Sequence, residues 1–211
     1  MTLLTIRLAA GALLAAFVAA SPARAQTAAY DAYVFARLGG YSPQHTDLDG
    51  YGAGFDAEVG FGHRFMQYLA VEGAIGAYRS QRDIPDPVTG ATIHGAESLS
   101  VVPVTGTLRA TLPLGGVDVS ALGGLGVYTA RRDWTTPVAF SRSADSGTVQ
   151  WPLHSTDRTL GLHVGGGASV DVTPRISFGA DARYVFASAN FSGTTTHIGG
   201  LRIGGVVVCR F

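Results

Sequence analysis

The sequence contains no lysine, one cysteine and two tryptophans, and only 14% of its 211 residues are charged. Fifteen arginines face fifteen acidic residues, so the formal charge is zero and no basic patch argues for nucleic acid. With Cys209 alone, no internal disulfide can brace the fold even in an oxidising compartment. Long apolar runs are equally scarce. Leu8 to Ala20 is the only one, and it falls short of the roughly 20 residues a spanning helix needs. A helical period of 3.6 is almost missing beyond Tyr30, which leaves strands to build whatever core there is.

What is present begins with an export pattern. Arg7 precedes the apolar stretch, and Ser21-Pro22-Ala23-Arg24-Ala25 ends in small residues before Gln26, the arrangement of a secretory signal peptide. The expected division is therefore a signal peptide over 1–25 and one domain over 26–211. Losing Arg7 and Arg24 leaves 13 arginines against 15 acidic residues, a formal charge of −2.

From Tyr30 onward, eight segments alternate with a period of two: about 31–41, 51–63, 68–79, 98–112, 117–130, 159–172, 176–187 and 197–211. Sorted by parity, the second segment sets Tyr51, Ala53, Phe55, Ala57, Val59 and Phe61 against Gly52, Gly54, Asp56, Glu58, Gly60 and Gly62. The sixth sets Leu160, Leu162, Val164, Ala168 and Val170 against Gly161, His163, Gly165, Gly167 and Asp171. One face is apolar, and the other mixes glycine with charge. Glycine inside a strand is costly and marks a place where something else needs the room. A soluble sandwich or lipocalin-like barrel does not explain that face well. A narrow barrel with lipid outside does, because interior charges fill the lumen and glycines beside them make space. The connections alternate too: 42–50, 80–97, 131–158 and 188–196 are long, whereas 64–67, 113–116 and 173–175 are short. The expected fold is all-β, an eight-stranded antiparallel transmembrane β-barrel with short periplasmic turns and long extracellular loops.

The stretches YVFARLGGYSP, VEGAIGAYRS, ALGGLGVYTAR, TPRISFGADARYVF and the closing LRIGGVVVCRF resemble the small outer-membrane β-barrel family, which includes the barrel domain of outer membrane protein A, outer membrane protein X and the opacity-type surface proteins. The resemblance spans nearly all of 26–211. It implies placement in the cell outer membrane, with outer-membrane lipid and lipopolysaccharide as surroundings. It also implies that the last strand, ending on the outward Phe211, is read by the barrel-assembly machinery.

Inward parity collects Arg37, Asp56, Glu58, Glu72, Arg109, Asp118, Asp181, Arg183 and Arg202. Charges of both signs in a narrow lumen are expected to pair into a network that fixes strand register. His163, Asp171 and Arg210 fall on the same parity. Tyr41, Tyr78 and Tyr128 do as well, at the outer ends of their strands, where they would cap the interior unless a bulge turned them outward. Trp134, Phe140 and Trp151 in the third long connection are candidate contacts for a host surface, a partner protein or lipopolysaccharide. No catalytic, metal or cofactor site is expected. His154 and Ser155 are consecutive, so on a strand they face opposite ways. Asp47-Leu48-Asp49-Gly50 reads as a turn lacking the later ligands of a calcium loop. The expected role is structural and surface-exposed: membrane integrity, adhesion or loop-mediated interaction. A narrow porin for ions or small solutes is the alternative, with a lipid A-modifying enzyme behind it.

Overall fold

The computed structural model describes residues 32–85, 92–142 and 145–211, and only the backbone of 85, 92–96, 135–142 and 145–153. The expected signal peptide lies outside the described residues, as do the side chains of Phe140 and Trp151.

Nine strands follow one another: β1 (Ala32–Pro43), β2 (Gly54–Met66), β3 (Leu69–Pro85), β4 (Thr92–Leu114), β5 (Val117–Arg142), β6 (Asp145–Asp171), β7 (Ile176–Phe191), β8 (Thr194–His197) and β9 (Gly200–Arg210). Each of β1 to β7 pairs antiparallel with the next, β7 pairs with β9, and β9 returns to β1. Eight strands therefore form a closed ring with no free edge. The short β8 stands outside it as a hairpin on the end of β7.

Local chemistry sets the turns. Gly115 and Gly116 have φ of 63° and 114°, the mirror-image turn that a two-residue hairpin requires and that side chains resist. Ser192 (φ 53°) and Gly193 (φ 88°) do the same between β7 and β8, with the Gly193 amide donating to Asn190 Oδ1 at 2.8 Å. Between β6 and β7, Thr173 Oγ1 accepts from the amides of Arg175 and Ile176.

At the other end the strands overrun the sequence pattern. The connection expected as a loop over 131–158 is a two-stranded ribbon, with β5 and β6 paired from Val117↔Val170 to Arg142↔Asp145. Likewise β3 and β4 stay paired out to Pro85↔Thr92 across a bulge at Arg82–Ile84. Along these ribbons the backbone ladder continues while the apolar alternation that marks a strand fades from the sequence.

The outer wall of the barrel is apolar, with Val59, Phe61, Ile75, Val104, Leu125, Leu162, Phe178 and Ile203 all exposed. Inside, glycines seat aromatic rings: a Cβ at Gly62 would run into the Tyr33 ring, and one at Gly60 into that of Phe35. The interior differs from the expected glycine-and-charge face in its upper half. On the same inward parity as Asp181 and Arg183 come Val185, Ala187, Ala189 and Phe191, all buried, and in β4 the inward Thr105 and Thr107 give way to Val101 and Leu99. The lumen is charged toward the short turns and apolar toward the ribbons.

Candidate functional site

Three layers fill the lumen. The central one is a closed circuit of six side chains, all 3% exposed or less. Arg37 lies 2.8 Å from Asp56 and 2.6 Å from Asp181. Arg183 reaches Asp181 at 2.9 Å and Glu58 at 2.6 Å. Arg202 reaches Glu58 at 2.9 Å and Asp56 at 2.6 Å. Three guanidinium forks thus alternate with three carboxylates, and each carboxylate is shared by two arginines. A planar fork with several donors suits that sharing, where a lysine would supply one point charge. The contacts of Arg37 lie off the line of its N–H bonds, so they act as ion pairs rather than hydrogen bonds. The circuit draws only on β1, β2, β7 and β9, the strands around the seam where β9 meets β1.

Toward the short turns, Glu72 accepts from Tyr33 Oη at 2.7 Å and from Arg109 Nε at 2.6 Å. Arg109 also donates to Ser120 Oγ at 2.8 Å and stands 4.0 Å from Asp181, joining the two layers. A cavity of about 50 Å³ beside them is lined by Tyr33, Glu72, Arg109, Asp118, Ser120 and Asp181 among others. That is room for a few waters, not for a solute. Asp118 stands apart from the circuit at this mouth, where Asp171 binds Arg210 at 2.9 Å and Ser177 Oγ at 2.6 Å.

Toward the ribbons the third layer is a buried apolar cap. Tyr41 and Tyr78 pack with ring centres 4.4 Å apart. Tyr41 donates to the Ile198 carbonyl at 3.0 Å, and Tyr78 reaches the same oxygen at 3.5 Å. The β8–β9 link thereby carries Ile198 into the lumen, where it is fully buried with Leu48, Leu99, Tyr128 and Phe191. Inward parity placed Tyr41, Tyr78 and Tyr128 here, as expected; it missed Leu48, which comes from the β1–β2 connection, and Ile198, which lies in the link between β8 and β9 rather than in the last strand. His163 sits beneath it, with Nε2 2.9 Å from Thr107 Oγ1 and Nδ1 3.5 Å from Tyr128 Oη.

The candidate loop contact Trp134 is half-buried, its ring 5.9 Å from the Arg132 guanidinium. Arg132 in turn binds Glu97 at 3.3 Å, and Glu97 accepts from Tyr51 Oη at 3.1 Å. That side chain braces the base of the ribbon. Phe211 is exposed on the wall, 6.3 Å from Phe61 between ring centres, and its amide donates to the Ala32 carbonyl. Cys209 is also exposed there. His154 and Ser155 are neighbours on β6 and face opposite ways, and among the described residues no three metal-ligating side chains come together.

One latch lies outside the membrane. Asp47, in the 3₁₀ turn Thr46–Leu48, accepts from the His197 ring at 2.5 Å and from the His197 amide at 3.0 Å, while His45 stacks on the same ring at 4.3 Å. The hydrogen bonds from His197 hold the Asp47 carboxyl below its ordinary range. A carboxylate depressed in this way holds its contact above its unfolded value and loses it as pH falls through the folded one. The protection factor of the His197 amide, relative to the intrinsic exchange rate at each pH, is therefore expected to be high at pH 7 and to fall well below pH ~3.9, the ordinary aspartate value. Equal protection at both pH values would show that Asp47 does not hold the latch.

Comparison with known proteins agrees with this architecture. A family model described as "Outer membrane protein beta-barrel domain" matches residues 10–205. Among solved structures, the chain is similar to Neisserial surface protein A, at 14% identity and a TM-score of 0.53, over 85% of this chain and 96% of that one. It is likewise similar to a major outer membrane protein from Thermus thermophilus, at 16% identity and a TM-score of 0.53, over 87% and 100%. No curated protein matches the sequence.

Proposed function

The chain belongs to the outer membrane protein beta-barrel domain family, and from that premise we propose that it is a sealed barrel whose working surface is its ribbons. In this reading residues 1–25 direct export, the short turns face the periplasm, and the β3–β4 and β5–β6 ribbons stand out from the cell. The role is structural and surface-exposed, through contact with lipopolysaccharide, a neighbouring protein or a host surface.

The observation that carries the reading is the filled lumen: six buried ionic side chains in a closed circuit, an apolar cap above them, and beside Arg109 below them a cavity of about 50 Å³. A conducting pore needs a continuous water path, and a ring of eight strands leaves just enough room for its own side chains.

Planar-bilayer recording on the refolded barrel is expected to be silent. Steady, salt-dependent channels from folded protein would overturn the sealed reading in favour of the porin. Orientation has its own test in whole cells: Ser143→Cys, between β5 and β6, in a Cys209→Ser background is expected to react with a membrane-impermeant maleimide. Labelling only after the outer membrane is opened would reverse the topology.

A further inference from the structure

The wall carries a charged patch that neither sealing nor contact with acyl chains requires. Across four strands runs the row Ile75–Val104–Val127–Leu160, each residue paired with the next and all exposed. Two positions toward the ribbons, the outward row includes Val102, Thr129 and Arg158. Two positions further it reads Arg79, Ser100, Arg131 and Thr156. Arg79, Arg131 and Arg158 are all exposed. One strand separates Arg79 from Arg131, about 10 Å at the usual strand spacing. Arg158 is a diagonal neighbour of Arg131, at about 7–8 Å.

These arginines differ from those of the lumen. Arg131 shares Asp133 at 2.8 Å, whereas Arg79 and Arg158 have no ion pair or hydrogen bond among the described residues. The outward positions of β1, β7 and β9 carry no charge among the described residues. The positive charge is thus confined to one side of the barrel, directly past the edge of its apolar belt.

We propose that Arg79, Arg131 and Arg158 form a binding site for the phosphorylated headgroup of an outer-leaflet lipid. The charge alone would suit any phosphate. The lipid is indicated because the apolar row lies directly beneath on the same face, so acyl chains and phosphate meet complementary surface together. Arginine stems can lie along apolar wall while their forks reach the polar zone, and a fork holds a phosphate through two parallel hydrogen bonds. Ser100, Thr129 and Thr156 supply hydroxyls between the forks. The site rests on the reading that the ribbon end faces outward.

The test is native mass spectrometry of the full barrel with bisphosphorylated lipid A and with its dephosphorylated form. Wild type is expected to favour the phosphorylated lipid by about tenfold or more, one well-made charged contact being worth that much. Arg79→Gln/Arg131→Gln/Arg158→Gln is expected to lose that preference, whereas Ser42→Gln on the uncharged side keeps it. Should the triple variant fail to fold, Arg158→Gln alone and the triple lysine variant, which keeps charge without the fork, are expected to fall between. Equal retention of the two lipids by wild type, or an unchanged triple variant, would overturn the site. Displacement of lipid A by millimolar inorganic phosphate would make it a soluble-anion site instead and overturn the lipid assignment. Binding to purified protein does not depend on orientation, so maleimide labelling from the wrong side would overturn the outer-leaflet assignment while leaving the phosphate selectivity of the site standing.

Discussion

Arg202→Leu is expected to lower the stability of the refolded barrel by about 3–5 kcal/mol, the usual cost of removing one partner from a buried ionic group. The loss follows from what remains. Asp56 keeps Arg37 and Glu58 keeps Arg183, but each loses its Arg202 contact, at 2.6 and 2.9 Å, in a site without exposed surface. The Tyr78 ring also loses a guanidinium 5.3 Å from its centre. Arg202→Lys restores a charge without the fork that spans two carboxylates, so it is expected to recover only part of the loss. Urea unfolding in detergent, followed by heat-dependent gel mobility, measures both. A result within about 1 kcal/mol of wild type, the range of exposed pairs, would mean that the circuit does not hold the barrel.

The placement of the circuit explains why so much charge is buried. A barrel has one ladder that no hairpin can register, the pairing of first strand with last, here Tyr33↔Arg210 to Pro43↔Gly200. Gly39 faces Gly204 across that seam, and the outward residues are interchangeable apolar ones. Side-chain packing alone would tolerate a two-residue slip there. A slip would move Arg202 about 7 Å along its strand and break both of its ion pairs. We infer that the buried ions serve register here, the role for which such groups are best attested.

Much of this was legible in the sequence, for reasons that also mark the limits. The strands showed because one face meets lipid along its whole length, so Val117, Val119 and Leu125 alternate with Asp118, Ser120 and Gly124, with only Leu122 and Gly123 out of the pattern. The short turn at Gly115-Gly116 showed because only glycine accepts both positive φ values. Parity also put Arg37, Asp56, Glu58, Asp181, Arg183 and Arg202 on the inward face. Their partners were hidden, because Glu58 and Arg183 are 125 residues apart and nothing local links them. The ribbons were hidden because the apolar alternation fades from the sequence there while the backbone pairing continues. Parity also put the cap tyrosines Tyr41, Tyr78 and Tyr128 inward; the aliphatic part of the cap was hidden because sorting by polarity expects a polar lumen, while Val185 and Ala187 continue inward above Arg183.

Tyr41→Ala is expected to cost about 3–5 kcal/mol, and Tyr78→Ala as much, because each empties a fully enclosed aromatic site. The two rings touch and share the Ile198 carbonyl, so the double variant is expected to lose less than the sum. Tyr41→Phe keeps the ring and leaves that carbonyl short of one donor, a cost of about 1–3 kcal/mol. If the phenylalanine variant fell as far as alanine, the hydroxyl's hold on the β8–β9 link, rather than packing, would be what keeps Ile198 inside. Conductance separates the two seals. Emptying the cap opens the lumen from the ribbon end only as far as the ion circuit, whose six ion pairs remain and whose Arg202 loses only its contact with the Tyr78 ring. Tyr41→Ala/Tyr78→Ala is therefore expected to be less stable than wild type yet as silent in a bilayer, and a current from that variant would show that the charged layer alone does not close the barrel.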